Sequence, residues 1–230
     1  MGYIMAGIPV IDAAIFDMDG LLINSEPFWK HAELAVLKEA GIDLQLKKYL
    51  PDTTGLRIDQ VMKLWLQAAK KPECAIAQLT EQITERVVKD IMTHKPMMPG
   101  VKHALQLCQQ QGLKIGLASA SPRSMINTVL QVLQIEPFFD AVCSAETLPY
   151  SKPHPQVYLN AAQALGVDPL RCVALEDSRN GMIAASAARM RVIVVPAAEQ
   201  AVGSFWSLAN VKLTTLQQLT LGHLGCGSLS

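Results

Sequence analysis

Residues 13–25 read Ala-Ala-Ile-Phe-Asp-Met-Asp-Gly-Leu-Leu-Ile-Asn-Ser. Ala13, Ala14, Ile15 and Phe16 are apolar without a break, and the run stops at Asp17. A strand buried on both faces of a parallel sheet has this texture, apolar throughout and polar where the chain leaves the sheet. Asp17 and Asp19 are two residues apart. In an extended chain alternate side chains share a side, so both carboxylates face one crevice. Gly20 permits the turn that follows. In open α/β sheets ligands sit beyond the carboxyl ends of the strands, where this pair falls.

Downstream of that strand the pattern turns helical. Glu26 and Pro27 begin a stretch over residues 27–40 that Gly41 closes. Residues 50–57 form a loop opening into a second helix, where Val61, Leu64, Trp65 and Ala68 recur at helical spacing until Pro72. Ile76, Leu79, Ile83, Val87 and Ile91 mark a third helix over residues 76–94. No strand signal occurs between 27 and 95, and the block reads as a small helical insert.

After the punctuation at His94–Gly100 the texture changes to alternating helix and strand. Val101–Cys108 is helical. Leu113–Ala118 is a strand ending at Ser119, and Ser121-Pro122 opens a helix with Ser121 as its cap. Phe139–Cys143 is a third strand, and residues 154–165 form a helix closed by Gly166. Cys172–Leu175 is a fourth strand ending at Glu176-Asp177. Ser178 caps an Ala-rich helix over 179–189, and Val192–Val195 is a fifth strand. The tail carries one weak segment, Val211–Leu219, and Gly222–Ser230 reads as frayed. Strands alternating with helices of about a dozen residues indicate a doubly wound, Rossmann-like parallel sheet. The expected fold is therefore α/β, with a core from residues 1–26 and 96–230 and an all-helical domain, 27–95, inserted after the first strand.

With 230 residues, half of them hydrophobic, the chain has material for a substantial core. Formal net charge is zero and no basic stripe occurs, which argues against a nucleic-acid partner. Five cysteines, an odd number widely spaced with no CxxC, fit reduced thiols, and Cys108, Cys143 and Cys172 lie in apolar runs as small core residues. The N-terminus lacks a basic segment and Asp12 interrupts it, so no signal peptide is expected. Ile8–Ile11 is a lead-in that extends toward the first strand. No stretch approaches the ~20 apolar residues that cross a bilayer. A cytoplasmic protein is expected.

Two close carboxylates repel unless a cation lies between them or one holds a proton. Both arrangements serve phosphoryl transfer. Mg²⁺ favours one or two carboxylates with phosphate oxygens and water. An ionised aspartate attacks phosphorus, and a protonated one supplies the leaving oxygen. The plain alternative is a solvated Asp-x-Asp-Gly turn. Three more polar features fall at strand ends. Ser119 precedes a helix start, a place that holds phosphate or merely caps the helix. Lys152, in Pro149-Tyr150-Ser151-Lys152-Pro153-His154-Pro155, is stiffened by prolines. It is either a fixed phosphate-binding charge or a solvated lysine. Glu176 and Asp177 offer metal ligands or a helix cap. Trp65 reads as core of the insert, whereas Trp29, near its start, borders either the crevice or the surface.

Asp17-Met18-Asp19-Gly20, Ser119, Lys152-Pro153 and Glu176-Asp177 occur in the order of the motifs of the haloacid dehalogenase superfamily. The insert resembles the cap domain of its β-phosphoglucomutase-like branch, and the match spans nearly the whole chain. Within that branch the chain is similar to bacterial sugar-phosphate phosphatases. One departure is Asn24-Ser25, where the branch commonly has Asp-Ser.

The resemblance implies roles. Asp17 is the nucleophile and a Mg²⁺ ligand; Asp19 ligates through its main-chain carbonyl and acts as acid, then base. Ser119, the Ala120 amide and Lys152 hold the phosphoryl group, and Asp177 with Glu176 completes the metal site. Arg57, in the loop opening the second cap helix, reaches the substrate or forms a surface salt bridge. Mn²⁺ or Co²⁺ is expected to substitute for Mg²⁺. The implied reaction is hydrolysis of hexose or hexitol phosphates, such as 2-deoxyglucose 6-phosphate, by a monomer with no nucleic-acid or membrane partner. A phosphoglucomutase shares every core motif. A phospho-accepting signalling module also carries acids and a lysine at strand ends, but it has no use for the insert or for Asp19.

Overall fold

The computed structural model describes residues 10–225. Six strands form one parallel sheet in the order β3-β2-β1-β4-β5-β6. They are β1 (Ala13–Phe16), β2 (Lys114–Ser119), β3 (Ala141–Ser144), β4 (Cys172–Glu176), β5 (Arg191–Val194) and β6 (Val211–Lys212). The chain steps outward from β1 through β2 to β3, then returns to β4 on the other side. The switch point therefore lies between β1 and β4, where a doubly wound sheet forms its crevice.

Alternation along each strand divides the core into two layers, because successive side chains face opposite ways. Ala14, Phe16, Leu117, Leu175 and Ile193 belong to one layer, with helices α4 (Val101–Gln110) and α5 (Arg123–Val132). Ala13, Ile15, Ala118, Ala174 and Val192 belong to the other, with α6 (Gln156–Leu165) and α7 (Arg179–Ala187). The central strands are apolar on both faces because both faces are covered.

Between β1 and α4 the described chain is helical: α1 (Glu26–Glu39), α2 (Ile58–Ala68) and α3 (Ile76–His94), with short 3₁₀ turns between them. Their apolar stripes converge on Val36, Met62, Trp65, Ile83 and Val87, all buried. The chain enters and leaves this block through adjacent strands of backbone. Asn24 N–H donates to Pro96 C=O at 2.8 Å and Met98 N–H to Leu22 C=O at 3.0 Å. No helix among the described residues is long and apolar enough to cross a membrane.

Differences from the expected elements are local. The third strand begins at Ala141, not Phe139, because Glu136–Phe138 is a 3₁₀ turn. The sheet has a sixth strand, β6, whose two residues are too few to carry a periodicity. Leu221–Leu224 is a helical turn, α8, with a capping box between Thr220 and His223, so 222–225 of the expected frayed end are ordered, and 226–230 lie outside the described residues. Ile8, Pro9 and Cys226 lie outside the described residues, and β1 starts only at Ala13. Cys172 is buried as expected, and Cys143 is half-buried.

Phe16 is fully buried and meets Phe139 edge-on, with ring centroids 6.4 Å apart. Phe16→Ala is expected to destabilise the protein by roughly 3–5 kcal/mol. A urea titration reads this as a lower midpoint at unchanged slope.

Candidate active site

The site is assembled at the C-terminal ends of β1, β2 and β4. Phe16 pairs with Leu175 across β1 and β4, so the next residues, Asp17 and Glu176, emerge side by side. Asp17 N–H donates to Leu175 C=O at 3.0 Å, which fixes the exit of β1. Gly20 lies at φ 81°, and a Cβ there would overlap the carboxylate of Asp177. The chain can pass this close to Asp177 only without a side chain.

Lys152 arrives from the loop after β3 and is 1% exposed. Its ammonium donates to Asp17 Oδ1 at 2.5 Å and to Glu176 Oε1 at 2.6 Å. Glu176, fully buried, accepts donors at both oxygens. Oε1 also accepts the Tyr158 hydroxyl at 2.6 Å, while Oε2 accepts the Asp177 and Ser178 N–H groups and the Ser178 hydroxyl. Ser178 Oγ in turn accepts from Gly181 N–H at 3.1 Å and caps α7, as its position after β4 predicts.

Asp19 lies apart from this ion pair. Its Oδ1 accepts from Ser25 Oγ at 2.6 Å and Trp29 Nε1 at 2.9 Å, and its Oδ2 from Ser121 Oγ at 2.6 Å. Ser121 thus departs from the expected helix cap. Pro122 occupies the N-cap position of α5, and the Ser121 hydroxyl turns to Asp19 instead. Ser119 is buried at the end of β2, its Oγ accepting Ser121 N–H at 3.0 Å, and Ala120 occupies the bend between them.

Arg57 is the expected site residue that the structure turns elsewhere. Its guanidinium pairs with Asp59 through Nε at 2.6 Å, and it donates to the carbonyls of Ala145 at 2.5 Å and Leu148 at 2.7 Å. It joins the loop before α2 to the loop after β3. Nearby, Asn180 Nδ2 donates to Thr54 C=O at 2.7 Å, a second tie between the helical block and the core.

Electrostatics decide what this arrangement fits. Burial is the main force raising the Asp17 pKa to about 8; the charges of Glu176 and Asp19 add to it and Lys152 opposes it. Burial likewise raises Asp177 well above the usual carboxylate range, with Glu176 and Asp17 adding. Burial works against the charge of Lys152, but Asp17 and Glu176 outweigh it and raise its pKa. The site thus carries more negative charge than one ammonium balances. Oxygens of Asp17, Glu176 and Asp177 lie within 4.8 Å of one another. Asp177 Oδ1 is buried and has no hydrogen-bond partner among the described residues. A crowded set of hard oxygen donors with an orphaned atom suits a divalent cation such as Mg²⁺.

The sequence offers Trp29 only as a residue near the start of the insert and Ser25 only within Asn24-Ser25. Tyr158 carried no signal beyond a place on the buried face of a helix. A hydroxyl buried at such a place must find a partner, and this one finds Glu176.

Comparison with known proteins agrees with this geometry. Residues 14–195 match the family described as haloacid dehalogenase-like hydrolase. Hexitol phosphatase B of Escherichia coli O157:H7 is 54% identical over 212 residues, covering 92% of this chain and 96% of that protein. Fructose-1-phosphate phosphatase YqaB of Escherichia coli K12 is 31% identical, covering 79% of this chain and 94% of that protein. The crystal structure of β-phosphoglucomutase from Clostridium difficile superposes with a TM-score of 0.81 at 26% identity, covering 94% of this chain and 96% of that one. Enzymes of this family generally use Mg²⁺, and the acidic cluster is compatible with it. The chain is a phosphatase, a phosphoric monoester hydrolase, and it belongs to the haloacid dehalogenase-like hydrolase family.

Proposed function

We propose that the chain is a Mg²⁺-dependent phosphatase of small sugar phosphates, hexose or hexitol phosphates such as 2-deoxyglucose 6-phosphate, working through an aspartyl-phosphate. The observation that carries the reading is the convergence of Asp17, Lys152 and Asp177, from three distant stretches, on one buried cluster. The 54% identity to a hexitol phosphatase supports the substrate class.

In this reading the Asp17 carboxylate attacks phosphorus and the bond to the sugar oxygen breaks. Asp19 gives that oxygen a proton. Water then attacks the aspartyl-phosphate, Asp19 takes a proton back, and orthophosphate leaves with Asp17 restored. The indole of Trp29 can only donate, which keeps Asp19 Oδ1 an acceptor and leaves Oδ2, beside Ser121, to carry the proton. Lys152, Ser119 and the Ala120 amide hold the phosphoryl oxygens, since this chemistry needs positioning and charge stabilisation above all. Mg²⁺ on Asp17, Asp177 and the Asp19 carbonyl would add positive charge at the phosphoryl group, with Glu176 ligating directly or through water; Mn²⁺ or Co²⁺ would substitute.

Residues 27–95 act as a cap on a core of 1–26 and 96–230. The paired backbone at Asn24–Pro96 and Leu22–Met98 is the hinge, and closure excludes water until the phospho-enzyme has formed. Arg57 belongs to the cap loop that meets the core. From its bonds to Ala145 and Leu148, it is released toward substrate only if the loop shifts. The protein works as a cytoplasmic monomer on a small molecule, with no nucleic-acid or membrane partner.

A mutase is the second reading, favoured by the fold match to β-phosphoglucomutase. Glucose 1-phosphate with Mg²⁺ separates the two: the phosphatase releases orthophosphate, whereas accumulation of glucose 6-phosphate would establish the mutase. Asp17→Asn is expected to abolish turnover of p-nitrophenyl phosphate with an unchanged circular dichroism spectrum, and residual turnover near the parent's level would remove it as nucleophile. EDTA is expected to silence the enzyme. Mg²⁺ is expected to raise the melting temperature of the parent protein, because a cation that binds only the folded state stabilises it. In Asp177→Asn that rise should be largely lost. An equal rise in both proteins would take Asp177 out of the metal site.

A further inference from the structure

We propose that Tyr158 is a positioning residue for the ammonium of Lys152, acting through Glu176. This rests on the phosphatase reading, in which Lys152 holds the phosphoryl group.

Tyr158 lies in the first turn of α6 and is fully buried. It meets both members of the pair it serves. Its hydroxyl donates to Glu176 Oε1 at 2.6 Å, the oxygen that also accepts Lys152. The Lys152 ammonium stands 5.1 Å from the centroid of its ring, within the range of a cation–π contact. The opposite side of Glu176 is closed by backbone. At Gly181 a Cβ would overlap the carboxylate, and Oε2 is filled by donors from Asp177 and Ser178. Among the described residues Tyr158 therefore supplies the one side-chain donor on Glu176 Oε1 that is not Lys152 itself.

An ammonium has three N–H donors. Two are committed here, to Asp17 and Glu176, and the third is left for a phosphoryl oxygen. Where that third donor points depends on how strongly each carboxylate pulls. A hydroxyl bonded to Glu176 Oε1 draws off part of its negative charge and weakens its hold on Lys152. Without the hydroxyl, Glu176 gains on Asp17, and the ammonium shifts away from the nucleophile. Packing alone does not require the hydroxyl, since a phenylalanine ring fills the same apolar layer of Val157, Ala161 and Ala174. Burial and the neighbouring carboxylates of Glu176 and Asp17 keep the phenol protonated, so it remains a donor.

The test compares Tyr158→Phe with the parent protein and with Val157→Ala, a buried apolar neighbour on the same helix. Turnover of p-nitrophenyl phosphate with Mg²⁺ is measured well below each melting temperature, and orthophosphate affinity is measured by calorimetry. Tyr158→Phe is expected to lower kcat about tenfold and to weaken orthophosphate binding severalfold. Val157→Ala should lower the melting temperature with kcat within about twofold of the parent, as a core truncation does. Parent-like kcat and affinity in Tyr158→Phe would overturn the proposal. An equal kcat loss in Val157→Ala would do the same, by making the effect one of packing. Calorimetry needs no turnover: a parent that binds orthophosphate but hydrolyses nothing defeats the phosphatase reading, while the affinity ratio still decides the role of Tyr158.

Discussion

The Lys152 ammonium, buried between Asp17 and Glu176, is the interaction on which the rest of the site depends. A charge taken out of water needs partners with good geometry, or the structure expels or neutralises it. Here Lys152 faces an excess of acid, since Asp17 and Glu176 bind it and an oxygen of Asp177 lies within 4.8 Å of theirs. Burial first, and that excess after it, raises the carboxyl groups of Asp17 and Asp177, and one Asp177 oxygen has no hydrogen-bond partner among the described residues. The cluster persists because the surrounding backbone leaves it no alternative. Asp17 and Glu176 are carried out in register by paired strands, and the lysine comes from a loop stiffened by prolines.

Around this pair the two carboxylates that follow β1 are treated differently. Asp17 faces the lysine and the acids of β4. Asp19, two residues on, is held by hydroxyls and an indole from both the helical block and the core. Equivalent spacing in sequence thus becomes two environments, one ionic and one built from neutral donors. The ties made by Trp29, Arg57 and Asn180 across the two blocks mean that the helical block's position is felt at the acid as well as at the mouth of the site.

Much of this was legible in one dimension. The apolar run ending in Asp17, the alternation of helix and strand after residue 100, and the absence of strand signal from 27 to 95 follow from side-chain periodicity. Periodicity is a local consequence of which faces are buried. The acids, Ser119 and Lys152 were recognisable because strand ends of a doubly wound sheet share one edge. Ser121 reads as a cap because its local context, Ser before Pro before a helix, is that of a cap. Only the approach of Asp19 from another strand redirects its hydroxyl.

What the chain's own order of residues determined is the layered architecture and which polar groups stand at the strand ends. Both are written in short-range patterns that burial imposes. What only the folded molecule decided is which groups touch. Tyr158 meets Glu176, Trp29 meets Asp19, and Arg57 is drawn to Asp59 and the loop after β3. Those pairings join residues up to 91 positions apart, as Arg57 and Leu148 are, and Lys152 and Asp17 are 135 apart. Their partners are set by strand order and crossover, which no local window contains.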